Sequence, residues 1–115
     1  MSLTTDVRAL LTTVSNVNIG TMPPTPDNAV CIYNTGGYPR SLSGTEVEEL
    51  TFMVKVRNSI YATGETLCNT ISNLLHGATS TRILMIQQQG GINDIGRDES
   101  NRPEFTMNFR CYYRR

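Results

Sequence analysis

The sequence has no tryptophan, one histidine and three cysteines, and its formal charge at pH 7 is zero. Cys31, Cys68 and Cys111 are odd in number, far apart and without a CxxC pair, so neither a disulfide framework nor a zinc site is expected. Reduced cysteine packs as a small hydrophobe, which fits a protein folded in the cytoplasm. Zero net charge also argues against a strong electrostatic interaction with nucleic acid.

No apolar run approaches the ~18 residues that cross a bilayer, and the N-terminus lacks a signal-peptide pattern, so we expect no membrane partner. The 115 residues fit a single domain covering residues 1–115. Residues 1–50 hold five acids and two bases, whereas residues 51–115 hold five acids and eight bases. This uneven division favours self-association or docking, with an ordinary mixed surface as the alternative.

The first half of the chain predicts one helix and two strands. Apolar residues recur at helical spacing after Ser and Thr residues suited to capping, namely Leu3, Val7, Leu10, Leu11 and Val14. Residues 16–28 contain three prolines and predict an extended connection. Ala29–Asn34 predicts strand one, ended by a turn at Gly36 and Gly37. Tyr38–Glu46 predicts a polar loop or the arm of a hairpin, and Leu50–Val56 alternates as strand two.

The second half predicts a helix and two further strands. Residues spaced 4, 3, 4 and 3 apart predict the second helix, which Gly77 would end: Ile60, Gly64, Leu67, Ile71 and Leu74. Arg82–Gln89 opens with four apolar residues and predicts strand three, internal in the sheet and covered on both faces at one end. Gly90–Pro103 predicts a long exposed loop. Glu104–Tyr113 alternates and predicts strand four.

These elements predict an α+β fold of order α-β-β-α-β-β, in which two helices pack on one face of a four-stranded, mainly antiparallel sheet. The second sheet face is mixed rather than polar, with Met53, Tyr112 and part of strand three available to it. Such a face favours contact with another subunit. Scattered apolar residues on a monomer surface are the alternative.

The sequence carries no pattern typical of an enzyme, since GxSxG, HExxH and GxxxxGK[ST] are all absent. His76 follows the second helix, where it can meet the free carbonyls of the helix end, and it is the one candidate for a general base. Residues 93–99 are acidic but do not follow a calcium loop, so we expect no metal and no cofactor. Arg110, Arg114 and Arg115, near two tyrosines, leave modest contact with passing nucleic acid open.

Two ordered sets of residues resemble the bacteriophage minor capsid proteins, a family similar to tail terminator and tail completion proteins. The first set is Pro23-Pro24-Thr25-Pro26-Asp27-Asn28, followed by Val30, Tyr33, Thr35, Gly36 and Gly37. The second set is Gln89-Gly90-Gly91, Gly96-Arg97-Asp98-Glu99 and Arg102-Pro103-Glu104-Phe105, with Asn108-Phe109. Val54-Lys55-Val56-Arg57 and a helix ending Leu74-Leu75-His76-Gly77 lie between them in the expected places. The resemblance extends from about Leu3 to Tyr112, but Tyr38–Glu49 matches nothing in it.

This resemblance implies a structural, non-enzymatic virion protein of the head-tail junction, assembled in the cytoplasm of a host bacterium. It implies a homo-oligomer, a hexameric ring that caps the tail tube, stops its polymerisation and joins it to the head connector. The implied partners are other copies of the chain, the tail tube protein and the connector protein, with DNA only passing through the ring. The alternatives are a connector stopper or another minor capsid component and, from other classes, a bacterial adaptor domain or an enzyme using His76.

Charge complementarity predicts one contact between neighbouring subunits. Glu46, Glu48 and Glu49 of one copy would face Arg97 and Arg102 of the next, because complementary charge fixes orientation and register. Exposed pairs of this kind contribute only about 0–1 kcal/mol each. Apolar burial would therefore have to supply most of the stability of the contact.

Overall fold

The computed structural model describes residues 2–39 and 46–114. Its elements, in chain order, are α1 (Leu3–Leu10), β1 (Val17–Ile19), β2 (Ala29–Gly37), β3 (Val47–Arg57), α2 (Tyr61–Leu75), β4 (Ile83–Arg97) and β5 (Pro103–Arg114). The strands form one sheet in the order β1-β2-β3-β5-β4. β1 is parallel to β2, and all other neighbours are antiparallel. No helix within these described ranges is long and apolar enough to cross a membrane.

Both helices pack on the same face of the sheet and enclose one hydrophobic core. The sheet contributes alternate residues to it, namely Val30, Ile32, Phe52, Val54, Val56, Ile83, Ile86, Phe105, Met107, Phe109, Cys111 and Tyr113. The rings of Phe52 and Phe109 stack with their centroids 5.1 Å apart. Tyr113 also donates a hydrogen bond from its hydroxyl to the carboxylate of Asp6, which ties β5 to α1. The predicted alternation of the last strand is therefore confirmed.

The helices begin where local hydrogen bonds allow it. The Ser2 hydroxyl caps α1 by accepting a hydrogen bond from the Thr5 backbone N–H. The buried residues of α2 are Gly64, Cys68, Ile71 and Leu75. Ile60 was predicted on this apolar stripe, but it precedes the helix in an extended conformation and is 61% exposed. The Ile60 backbone N–H donates a hydrogen bond to the Asn58 side-chain oxygen, so Ile60 belongs to the turn that precedes the helix.

The sheet has five strands rather than the four predicted, and the order is α-β-β-β-α-β-β. The additional strand, β1, lies in residues 16–28, and its three residues are too few to show a periodic pattern. β2 also continues through Gly36 and Gly37 instead of turning there. A Cβ atom at Gly37 would lie 2.5 Å from the Glu49 carbonyl oxygen, so glycine is needed for the close approach of β3.

The prediction for the segment after α2 was wrong in two respects. β4 continues to Arg97 instead of ending at Gln89, so most of the predicted 90–103 loop is strand. Gly90 has a φ of +79° and allows the bulge through which β4 continues pairing with β5. β4 is also an edge strand rather than an internal one, because β5 takes the place beside β3. Leu84 and Met85 are accordingly 36% and 45% exposed.

The predicted loop over Tyr38–Glu46 lies partly outside the described residues, since it includes residues 40–45. Beyond it, β3 begins at Val47, three residues before the predicted start at Leu50. The alternation predicted for Leu50–Val56 is confirmed, because Phe52, Val54 and Val56 are fully buried.

Candidate assembly surfaces

The sheet face opposite the helices, which we call the open face, is covered over one half. Residues 20–28, which connect β1 to β2, lie across it. Arg57 donates hydrogen bonds from Nε to the Asp27 carbonyl at 3.0 Å and from Nη2 to the Pro26 carbonyl at 2.6 Å. Cys31 is fully buried although it points away from the helices. The proline-containing connection therefore closes the part of the face formed by the start of β2 and the end of β3.

The other half of the open face is organised around Arg110 in β5. Its guanidinium forms an ion pair with the Glu49 carboxylate at 3.3 Å and donates a hydrogen bond to the Gln87 side chain at 3.0 Å. The rings of Tyr38 and Tyr112 lie 5.9 and 6.0 Å from its central carbon. Exposed cation–π contacts of this kind contribute about 0.5–1 kcal/mol each. Tyr38 remains 51% exposed.

A second organised surface lies at the far end of the β4–β5 hairpin, where Tyr61 at the start of α2 meets Asp94. The Tyr61 hydroxyl donates a hydrogen bond to the Asp94 carboxylate at 2.8 Å, and its ring lies 5.0 Å from that of Phe105. The Gly96 backbone N–H and the Tyr61 hydroxyl lower the pKa of Asp94. The same bond to Asp94 raises the pKa of Tyr61. The two side chains are therefore held by one another at the surface.

Exposed apolar residues lie beside both of these arrangements. We call the exposed Tyr38 and Met85 and the half-buried Tyr112 the base cluster, in which Met85 is the cross-strand neighbour of Tyr112. We call Ile60, Tyr61 and Ile95 the tip cluster; these residues are 61%, 37% and 49% exposed. Phe105, beside the tip, and Tyr112, in the base, are seven residues apart on β5, which corresponds to about 23 Å. The clusters thus lie at opposite ends of the hairpin.

The five charged residues predicted to join neighbouring subunits lie at these same two ends. Glu46, Glu48 and Glu49 lie at the start of β3, where Glu49 is opposite Tyr112 of the base cluster. Arg97 and Arg102 flank the turn between β4 and β5, next to the tip cluster. The acidic and basic groups are therefore far apart within one chain. A head-to-tail contact between two copies requires such an arrangement.

Of these five charged residues, Glu46 and Arg97 are accessible to another chain. Arg102, in contrast, is bound to carboxylates of its own chain. The Arg102 guanidinium binds the Asp98 carboxylate at 2.8 Å from Nε and that of Asp27 at 3.2 Å from Nη1. Its hydrogen bond lowers the pKa of Asp98. Glu46 and Arg97 are exposed, although one nitrogen of the Arg97 guanidinium donates a hydrogen bond to the Asn101 carbonyl at 2.9 Å. The structure thus makes Glu46 and Arg97 the more available pair for a contact between subunits.

His76 contributes to the edge of the sheet. Its Nδ1 accepts a hydrogen bond from the Gln88 backbone N–H at 3.1 Å, and the Gly77 backbone N–H donates to the Ile86 carbonyl at 2.7 Å. These bonds cover the outer edge of the first part of β4. Within residues 2–39 and 46–114, no group of three or more His, Cys, Asp or Glu side chains is arranged to hold a metal ion.

Sequence reasoning missed Tyr38 and Tyr61, which are central to the two surfaces. Tyr61 contacts Asp94 only because β4 extends to Arg97, in a stretch predicted to be a loop. Ile92 and Ile95 were the available signal, because two isoleucines are unusual in a solvated loop.

The fold is that of a small α+β domain. A family model described as bacteriophage tail terminator protein matches residues 7–115. The chain therefore belongs to the bacteriophage tail terminator family, which is a family of structural tail proteins and not of enzymes. The resemblance predicted from the sequence is confirmed, and the protein has a structural role in a phage tail.

Solved structures share the fold. A chain in the virion of a native gene transfer agent particle aligns with a TM-score of 0.62 at 16% identity, covering 95% of this chain and 84% of that chain. A second solved chain aligns with a TM-score of 0.59 at 14% identity, covering 98% of this chain and 88% of that one. No curated protein sequence matches the chain.

Proposed function

We propose that the protein is a tail terminator subunit whose copies form a hexameric ring at the head-tail junction. The ring caps the tail tube, stops its polymerisation and joins it to the head connector, with DNA passing through the centre. It assembles in the cytoplasm of the host bacterium and remains in the virion. The observation that carries the proposal is the match of the tail terminator family model over residues 7–115.

The distribution of surfaces supports the ring. Each subunit of a closed ring touches one neighbour with one surface and the other neighbour with a different surface. The base and tip clusters are two such surfaces at opposite ends of one hairpin. Glu46 beside the base and Arg97 beside the tip can then pair between copies; of the other members of the predicted set, Glu48 and Glu49 lie near Glu46, and Arg102 would first have to leave Asp98 and Asp27. Complementary charges of this kind select orientation more than they add affinity.

The free chain need not be hexameric for this function. A small interface gains little against the translational and rotational entropy lost on association, so a monomeric free chain is compatible with a ring that forms at the tube end. The tube end would then act as the template. Assembly is therefore best tested with tubes present.

The deciding experiment mixes the purified protein with growing tail tubes and images the tube ends by electron microscopy. We expect a ring at one end of each tube and no further increase in tube length. The same protein after heat unfolding is the control for non-specific adhesion. Bare tube ends with undiminished growth would contradict the proposal, and rings bound to isolated connectors but not to tubes would assign a connector stopper instead.

A further inference from the structure

We propose that the base cluster of one copy packs against the tip cluster of the next copy, and that these clusters form the apolar part of the contact between neighbouring subunits. The inference rests on the proposed ring and deepens it by assigning the residues that join its members. The partner is thus a second copy of this chain in a head-to-tail orientation.

The exposed apolar surface is concentrated at these positions. Seven large hydrophobic side chains of the described residues are exposed, and five of them belong to the two clusters: Tyr38, Ile60, Tyr61, Met85 and Ile95. The other two, Ile19 and Leu84, lie on the edge strands β1 and β4. Contiguous exposed apolar groups mark interaction sites more often than single ones do.

The three tyrosines of the clusters have partners within their own chain. Tyr61 is held by its hydrogen bond to Asp94 and by the ring of Phe105. Tyr38 and Tyr112 lie against the guanidinium of Arg110. Side chains that are already ordered lose little conformational entropy on binding, so their burial contributes more fully to affinity.

Charge favours the opposite end of another copy as the occupant, because the exposed Glu46 lies beside the base and the exposed Arg97 lies beside the tip. The base carries Arg110 together with Glu46, and the tip carries Asp94 together with Arg97. Arg110 and Asp94 already have partners in their own chain, Glu49 and Tyr61, so the pair of opposite sign left for a head-to-tail contact is Glu46 with Arg97. A two-fold contact of one cluster with itself would leave the other cluster of each copy exposed, whereas a head-to-tail contact uses both clusters.

The two clusters cannot cover each other within one chain, because they are about 23 Å apart along β5. A copy that covers its neighbour's tip with its base leaves its own tip exposed for the next copy. Repetition of such a heterologous contact gives a ring when the rotation closes. The arrangement therefore accounts for two separate exposed clusters on one small subunit.

Cysteine cross-linking tests this contact directly. The native Cys31, Cys68 and Cys111 are buried, so maleimides should react selectively with cysteines introduced at the surface. The Met85→Cys/Ile95→Cys double variant is treated with a short bis-maleimide in the presence of tail tubes and analysed by denaturing gel electrophoresis. We expect a ladder of covalent oligomers ending at the hexamer.

Three controls define the result. The Met85→Cys and Ile95→Cys single variants should give no ladder, because each provides only one half of the contact. The Thr12→Cys/Asn69→Cys double variant also places two cysteines at exposed positions, outside both clusters, and it should remain monomeric. Efficient dimers from either single variant would indicate a two-fold contact and overturn the proposal.

The outcome for the contact can be separated from the outcome for the function. If the double variant caps tubes but gives no ladder, the terminator role stands and this contact is wrong. If it gives the ladder but tubes still grow, the contact between copies stands and the capping role fails. Absence of capping by both the unmodified chain and the double variant overturns the function, and absence of the ladder overturns the contact.

Discussion

Arg57 and Asp27 are joined across the open face by a hydrogen bond of 3.0 Å from the Arg57 Nε to the Asp27 carbonyl. Arg57 is only 3% exposed, so its charged group depends on this bond and on the Pro26 carbonyl. Arg57→Met keeps the apolar stem but removes both donors. Because hydrogen bonds to charged groups stabilise by about 1.5–3 kcal/mol each, we expect the free energy of unfolding to fall by at least about 2 kcal/mol in urea titrations.

Lys55→Met is the matched control for this change. Lys55 lies two residues earlier on the same face, and its ion pair with Glu104 at 3.3 Å is partly solvated. Such pairs are worth about 0–1 kcal/mol. We also expect faster proteolysis within residues 20–28 in Arg57→Met only. Equal stability of the two variants would show that Arg57 does not secure the connection.

Burial and the hydrogen bond to Asp6 raise the pKa of Tyr113 to about 12. The unfolded value is about 10, so the folded state favours the protonated phenol. The resulting stability is fully present below pH 10 and is lost as the pH rises towards 12. We expect Tyr113→Phe to lose about 0.5–1.5 kcal/mol at pH 8 through the missing hydrogen bond, measured by urea unfolding.

The same comparison repeated between pH 9 and pH 12 tests the titration itself. The unmodified chain should lose stability more steeply than Tyr113→Phe, since the variant has no phenol to deprotonate at this position. Tyr112→Phe, on the open face, is the matched control. Parallel curves for the unmodified chain and Tyr113→Phe would contradict the assignment.

Gly64 is required by the packing of α2 on β5. A Cβ atom at this position would lie 2.6 Å from Cε1 of the buried Phe105 ring and 3.3 Å from Cβ of Asn58. Alanine favours a helix by about 1 kcal/mol over glycine, whereas overpacking costs about 1–3 kcal/mol. We expect Gly64→Ala to be destabilised by about 1 kcal/mol overall. Thermal unfolding should also show Thr63→Ala, at an exposed helical position, to be unchanged or slightly more stable.

The periodic elements could be predicted because burial repeats along them. The alternation in Glu104–Tyr113 and the apolar stripe of α2 both follow from one covered face. The position of a strand within the sheet cannot be predicted from this periodic burial. Ile83–Ile86 resemble a strand covered on both faces, but a bulge directs only Ile83 and Ile86 to the core.

The surfaces depended on long-range pairing and were therefore harder to predict. The alternation of β3 predicts that Arg57 faces solvent. Arg57 is buried because residues 20–28 lie across the open face and contact it. Glycine-dependent bulges allow β4 to reach Tyr61, and no local period encodes them. The three glutamates and two arginines of the predicted contact lie at opposite ends of the sheet, and their contact between copies stays a prediction.

The predicted charge contact is tested by exchanging the signs of Glu46 and Arg97, which are both exposed. Glu46→Lys and Arg97→Glu should each weaken capping of tail tubes, since each places like charges opposite one another in neighbouring copies. The double variant restores opposite charges and should recover capping. The losses should be modest, about 0–1 kcal/mol per contact, and should shrink at high salt because exposed charges are screened. Single variants that cap as well as the unmodified chain at low salt, or a double variant weaker than both, would remove this pair from the contact.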